Sequence, residues 1–372
     1  IRRGDWSSDV CSSDLPILLY SYSWFIYNFV ILFLLFLVCV NKKIKKSSYF
    51  IIFVFFIIFS VYGYITADYN SYLELMKMSK VNDPLVALEP IYVWYIQLIS
   101  GNYFVFRLTL YIVSFIFLWG IFQYVRCYKL YFLILYSVIL LYDMAGGRQM
   151  LSICMMFLGL FLILYEKIQL KKILFGLLLL ISSSFFHKTG IYMLLFLLLL
   201  IMNINTKKIL LLVCVIPVFV YFGNILIEEY LSDLLELEGG GYLMKEAQEG
   251  SFWWVVIMYI QVVVLYVLSF IVLYTLRKNI LTCIDKVMYR FVFWIIYVST
   301  IFYFLNIENN DIFLRWLNVV KIPMIYLLSK YVFNRFTYSC ISMTNCFVLF
   351  LLFAFWFSTN IYIIGVSHIN VK

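Results

Sequence analysis

The chain has 372 residues, of which 65% are hydrophobic and only 13% are charged, and its formal net charge is +9. Soluble domains carry about 25% charged residues, so this composition excludes a soluble protein. Apolar runs of close to 20 residues recur without strand-like alternation, which excludes a transmembrane barrel and predicts an all-α, polytopic transmembrane bundle.

The first fifteen residues differ from the rest, because they are polar and rich in Ser and Asp. Gly4 to Leu15 looks like the translation of a common sequencing-library adapter, and no apolar region typical of a secretory signal is present. We therefore expect residues 1–15 to be an artefact and residues 16–372 to form a single polytopic membrane domain. Without this segment, 26 basic and 16 acidic residues leave a net charge of +10.

Apolar runs predict about twelve membrane spans along the domain. A helix needs ~20 residues to cross the hydrocarbon, although shorter spans are accommodated by bilayer thinning or burial against neighbours. The predicted spans are 16–40, 48–66, 103–124, 130–143, 149–165, 172–186, 190–204, 208–227, 252–276, 287–306, 312–330 and 341–364.

In this scheme, basic residues are concentrated in every second loop. Six loops on one side hold 17 basic residues and only two acids, Glu166 and Asp285. Because Lys and Arg favour cytoplasmic loops, these loops are assigned to the cytoplasm and both chain ends to the outer side.

Three of the predicted outer segments are long enough to contribute to a functional site. Residues 67–102 include a short amphipathic stretch, Glu89 to Ser100, predicted to lie at the membrane interface. Residues 228–251 are acidic and contain a Gly239–Gly241 hinge. Two interpretations of this segment remain open, a lid over a membrane site and a solvated acidic loop. The third outer segment is Asn306 to Arg315.

Several ionisable groups lie at or just inside the outer ends of spans, where burial is costly. They are Arg107, Arg148, His187, Lys188, Arg315 and Lys321. The planar guanidinium of arginine presents paired N–H donors that suit phosphate. The imidazole of histidine titrates near neutral pH, which suits the role of a general base. Structural alternatives remain: Arg148 snorkelling to headgroups, His187 holding a helix end, or Arg107 and Arg315 pairing with Glu89 or Asp311.

The first outer loop offers acids and aromatic residues. Asp68 and Glu89 are candidates for a base or for sugar-hydroxyl ligands, or are solvated loop acids. Tyrosines and tryptophan could stack on sugar faces, although aromatic residues are common at membrane interfaces in any case; these are Tyr69, Tyr72, Tyr92 and Trp94.

Signatures of other chemistries are absent from the sequence. There is no Walker A motif, G-x-G-x-x-G, H-E-x-x-H or G-x-S-x-G, and no C-x-x-C pair. We therefore expect no cofactor, no metal and no nucleic-acid partner.

Four motifs follow one another on the predicted outer side: D-Y-x-x-Y, then E-P-x-Y, an outer R-Q opening a helix, and F-H-K-T before another helix. Their positions are Asp68, Tyr69, Tyr72, Glu89, Pro90, Tyr92, Arg148, Gln149 and Phe186 to Thr189. The order of these motifs resembles the EpsG family of exopolysaccharide-biosynthesis membrane proteins, which is similar to Wzy-type polymerases. Ile91 stands where the pattern has glycine, and Arg315 is the match in the second half.

This resemblance implies a GT-C/Wzy-like fold in the bacterial cytoplasmic (inner) membrane and a glycosyltransferase that acts as a polysaccharide polymerase. Its substrate would be an undecaprenyl-diphosphate-linked repeat unit of exopolysaccharide, capsule or O-antigen. Arg148, Lys188 and Arg315 would bind the diphosphate, and His187 or an acid of the first loop would act on the acceptor. Its partners would be the lipid-linked oligosaccharide, the bilayer, a chain-length regulator and a flippase.

Two other classes of protein remain open at this point. A GT-C-type glycosyltransferase or ligase would use another lipid-linked sugar, and Asp68 suits its acidic first loop. A lipid-linked oligosaccharide flippase or other transporter would expose a charged central cavity alternately to both faces, whereas the candidate residues cluster on the outer side.

Overall fold

The computed structural model describes residues 28–30, 33, 46–62, 90–125, 129–145, 147–164, 169–187, 190, 193–194, 197, 206–226, 252–276, 282–305, 316–332, 348 and 350–358. Within these residues the regular structure is entirely helical. Its helices are α1 (Lys46–Tyr62), α2 (Pro90–Leu98), α3 (Tyr103–Tyr124), α4 (Lys129–Ala145), α5 (Gly147–Leu164), α6 (Leu170–Phe186), α7 (Thr206–Leu226), α8 (Phe252–Leu276), α9 (Cys283–Phe304) and α10 (Lys321–Leu327), which runs into a π-helical turn, Leu328–Val332.

Four of the described helices contain a stretch long and apolar enough to cross a membrane. These stretches are Tyr103–Tyr124, Gly147–Leu164, Tyr259–Leu276 and Cys283–Phe304, and shorter apolar stretches lie in α1, α4 and α7. The all-α fold predicted from composition is thus confirmed for the described residues. The count of about twelve spans, the GT-C/Wzy-like arrangement and the single-domain organisation stay predictions.

Helix α5 is the centre of the fold, since nearly every side chain from Gln149 to Phe161 is buried. It forms an antiparallel hairpin with α6 along a seam of small residues. A Cβ at Gly159 would lie 2.7 Å from the carbonyl oxygen of Gly176, and a Cβ at Gly176 would lie 2.8 Å from that of Gly159. Small residues allow such close backbone approach between membrane helices, so these two glycines set the spacing of the hairpin.

Aromatic side chains fill the contact between α1 and α3. Phe53 of α1 makes edge contacts with Phe115 and Trp119 of α3, with ring centres 6.2 and 5.0 Å apart. Tyr49 meets Phe122 at the far end of α3, with ring centres 5.3 Å apart. Edge-to-face pairs of this kind add stability beyond the area that they bury.

One end of the bundle, here called the lysine end, is defined by Lys129, Asp285 and Lys330. The carboxylate of Asp285 is fully buried, and the Lys330 ammonium lies 2.9 Å from it. The Tyr326 hydroxyl donates to the same carboxylate at 3.0 Å, and the Thr282 backbone N–H donates in a capping box that opens α9. Asp285 and Lys330 come from loops that the charge pattern assigns to the same face, and the structure brings them into contact.

Candidate functional site

The opposite end of the bundle, here called the arginine end, is defined by Arg107, Arg148 and His187. Helix α2 packs across it. The Tyr95 hydroxyl donates to the Thr109 hydroxyl at 2.7 Å, which ties α2 to α3. The Tyr92 ring makes edge contacts with Phe106 of α3 and Phe186 of α6, with centres 5.9 and 6.1 Å apart. Helix α2 (Pro90–Leu98) falls within the short helix predicted over residues 89–100 and contacts the candidate site, while its location at the membrane interface stays a prediction.

Arg148 is the second residue of α5, and its side chain is partly exposed. Its guanidinium carbon lies 5.6 Å from the centre of the Tyr92 ring. A cation over an aromatic face is held with ~0.5–2 kcal/mol, depending on how far it is desolvated. Tyr92 therefore orients Arg148, a role that the interface reading of this tyrosine missed. The E-P-x-Y spacing, which puts Tyr92 in the first turn of a helix, was the available signal.

His187 caps the C-terminus of α6 with an extended backbone, and its side chain is buried. Its backbone N–H donates to the carbonyl of Ser183 at 3.3 Å, and its own carbonyl accepts from the Gly190 N–H at 2.8 Å. The Ser152 hydroxyl of α5 donates to the same Ser183 carbonyl at 2.8 Å. This last hydrogen bond holds the end of α6 against α5. His187 lies at the same end of the hairpin as Arg148.

Gly190 is required by a close backbone approach. A Cβ at this position would lie 2.6 Å from both the carbonyl carbon and the carbonyl oxygen of Ser183, and 2.7 Å from the nitrogen of Ser184. Gly190 therefore lies directly against the backbone at the end of α6. Sequence reasoning missed Ser152 and Ser183 because isolated serines in apolar helices carry no specific signal.

Arg107 is buried in α3, where its side chain has structural contacts. Its guanidinium donates to the carbonyl of Ser60 in α1 at 2.6 Å. The rings of Tyr103 and Tyr111 lie 5.7 and 5.6 Å from the guanidinium carbon. These contacts join α1 to α3 and favour a structural role, while the substrate-binding role remains a prediction. The Tyr111 hydroxyl also approaches Gly147, so the Arg107 cluster adjoins the start of α5.

Gln149 links α5 to the helical segment before α10. Its side-chain oxygen accepts from the Asn318 amide at 3.4 Å. Lys321 follows three residues after Asn318 and is only 1% exposed. Burial of a lysine at membrane depth is costly, so Lys321 joins the candidate residues of this region. Its place near the outer end of a predicted span marks it as an unusual cation, without assigning it a role.

Six predicted site residues lie outside the described residues. They are Asp68, Tyr69, Tyr72, Glu89, Lys188 and Arg315. Residues 228–251, the predicted outer acidic loop, also lie outside them. Within the part of the chain that the structure describes, no group of three or more His, Cys, Asp or Glu could hold a metal ion.

The apolar helices, and the cationic groups gathered at one end of them, define a helical membrane protein. The sequence profile of the EpsG family matches residues 48–368, nearly the full chain. The chain therefore belongs to the EpsG family, as the ordered motifs predicted, and is a membrane protein of exopolysaccharide biosynthesis. Neither a curated protein nor a solved structure gives a significant match.

Proposed function

We propose that this protein polymerises undecaprenyl-diphosphate-linked repeat units on the outer face of the bacterial cytoplasmic membrane. The observation that carries the proposal is the convergence of Arg148 and His187 at one end of the α5–α6 hairpin. Tyr92 connects them, because Arg148 lies over its ring and its edge meets Phe186, the neighbour of His187. Membership of the EpsG family supplies the biosynthetic context.

The proposed reaction transfers a glycan from one lipid diphosphate to a hydroxyl of a second repeat unit. The hydroxyl oxygen attacks the anomeric carbon, the bond from that carbon to the diphosphate oxygen breaks, and the hydroxyl proton passes to a base. The lipid diphosphate leaves with the bonding electron pair. Because the sugar arrives already activated, the step needs donors for the diphosphate charge and a group that takes the proton.

Arg148 suits the diphosphate, since a guanidinium presents paired donors to phosphate oxygens. Lys188 and Arg315 are further candidates for this charge. His187 is the first candidate for the base, with Asp68 and Glu89 as alternatives, and Gln149, Tyr69 and Tyr72 would contact the sugar or the headgroup. Buried donors close to the developing charge are effective because little water competes with them.

The outward orientation of the site rests on charge. Lys129 and Lys330 of the lysine end belong to two of the six predicted loops that hold 17 basic residues. Basic loops of this kind face the cytoplasm. The arginine end would then face outward, where lipid-linked units are joined after translocation.

Complementation of a gene deletion tests the assignment of residues. Arg148→Ala and His187→Ala, expressed at wild-type abundance, should each abolish long polysaccharide. Lys171→Ala is the matched control, because Lys171 is an exposed cation on the same hairpin at the opposite end. Full complementation by both site variants would refute the site. Loss of function in the Lys171 variant as well would indicate a general effect of removing charge.

A further inference from the structure

An apolar groove of about 250 Å³ opens between α2 and α3 at the arginine end. Its wall on α3 is formed by Phe106, Thr109, Leu110 and Val113, which share one helix face. These residues span about 10 Å along the helix axis at 1.5 Å per residue. The groove therefore begins at the candidate site and runs toward the middle of α3.

The groove offers hydrocarbon contacts along nearly its whole length. The hydroxyls of Thr109 and Tyr95 bond to each other at 2.7 Å, which pairs these two polar groups of its wall. Leu151 and Phe186, from the α5–α6 hairpin, also line it. Its volume is below the ~300–1,000 Å³ of pockets that enclose whole ligands, so it fits a segment of an apolar chain.

Positive charge lies directly beside this apolar space. Tyr92 lines the groove, and the Arg148 guanidinium lies 5.6 Å from the centre of the same ring. His187 follows Phe186, another residue of the wall. A ligand that fills the groove and binds Arg148 must carry its anionic group within a few bonds of its hydrocarbon chain.

We propose that this groove holds the isoprene units next to the diphosphate of the lipid carrier, an inference that rests on the proposed function. About two units would fit along its 10 Å, since each adds four bonds of an extended chain. A prenyl diphosphate joins one chain directly to the anion. A glycerophospholipid instead places glycerol between the phosphate and two chains, so it matches a narrow groove beside a cation less well. The groove would thus fix the position of the diphosphate relative to His187.

Photolabelling of the purified full-length protein in lipid nanodiscs tests the groove without glycosyl transfer. The probe is geranyl diphosphate with a diazirine in its second isoprene unit. We expect label in the segment 91–113, competition by undecaprenyl diphosphate, and no competition by dioleoyl phosphatidic acid at the same concentration. Label elsewhere, or equal competition by phosphatidic acid, would overturn the proposal.

A pair of tryptophan variants on α3 makes the test specific. Val113→Trp would fill the inner part of the groove, and we expect labelling to fall about tenfold, the effect of removing about two methylene groups from burial. Ile116→Trp is the control, because Ile116 lies one turn away, is 59% exposed and does not line the groove. Equal labelling in the two variants would contradict the groove.

Labelling and polymerisation also separate the two proposals. Specific label in the groove of a protein that forms no polymer from lipid-linked units would reject the polymerase function and retain the prenyl site. Polymerisation with label outside the groove would support the polymerase function and reject the prenyl site.

Discussion

Replacing Gly190 by alanine tests whether the contact between Gly190 and the end of α6 positions His187. The added Cβ would lie 2.6 Å from the carbonyl carbon and oxygen of Ser183. Carbon contacts are normally about 3.5–4.0 Å, so one backbone segment must move by about 1 Å. His187 lies between Ser183 and Gly190 in the chain, and its carbonyl accepts the Gly190 N–H at 2.8 Å. The displacement therefore moves His187, the candidate base.

A misplacement of about 1 Å costs ~100-fold in catalytic rate, and overpacking of this kind costs ~1–3 kcal/mol in stability. We expect Gly190→Ala to fold with reduced stability and to polymerise about 100-fold more slowly per folded molecule. The assay is in vitro polymerisation at matched amounts of monodisperse protein.

Gly120→Ala is the matched control, because its Cβ would meet only the side-chain end of Leu158, at 2.9 Å. Leu158 is able to rotate away, so this variant should keep near-normal activity. Wild-type activity in Gly190→Ala would show that the contact between Gly190 and Ser183 does not hold His187 in place. An equal loss in both variants would show that any added methyl group impairs the bundle.

Two further predictions concern the two ends of the bundle. Tyr92→Phe should keep the aromatic face under Arg148 and near-normal donor KM. Tyr92→Leu should raise KM about 2- to 30-fold, the equivalent of ~0.5–2 kcal/mol; equal KM values in the two variants would contradict the stacking role. At the lysine end, Lys330→Met should lower thermal stability in detergent more than Asp285→Asn, because Asp285 is 0% exposed and Lys330 is 24% exposed. The lysine is able to reach water when its partner is lost, but the carboxylate is not; the reverse order would refute this account.

The sequence predicted individual helices well where strong local signals mark their ends. The predicted limits 103–124 and 252–276 match α3 and α8 to the residue. Helix α3 begins after Asn102, whose side chain accepts from the backbone N–H of Val105 at 3.2 Å. A basic loop follows α3, so a change of composition marks its other end. Local capping and composition are properties that a single sequence carries.

The pairing of helices depended on information that a single sequence lacks. Glycines and serines occur throughout the apolar runs, and their spacing does not say which helix approaches which. The seam that joins Gly159 to Gly176 and Ser152 to Ser183 emerges only when α5 and α6 are placed side by side. Tyr92 was set aside for a similar reason, since an interface aromatic and a platform for Arg148 look alike in sequence.

The roles of the candidate site residues stay predictions, but charge indicated that two of them lie near each other. Loop charges assigned Arg148 and His187 to one face, and the structure places both residues at one end of the α5–α6 hairpin. The contacts of Arg107 and the burial of Lys321 followed from tertiary packing, which periodicity does not encode.

The most direct test of the central claim is deletion of the gene followed by analysis of surface polysaccharide and lipid-linked intermediates. The proposed function predicts loss of the long-chain ladder, while single repeat units still reach the outer face. Restoration of the ladder by the wild-type gene, but not by Arg148→Ala, would link that loss to the arginine end. Accumulation of lipid-linked units on the cytoplasmic side would contradict the claim and identify the protein as a flippase.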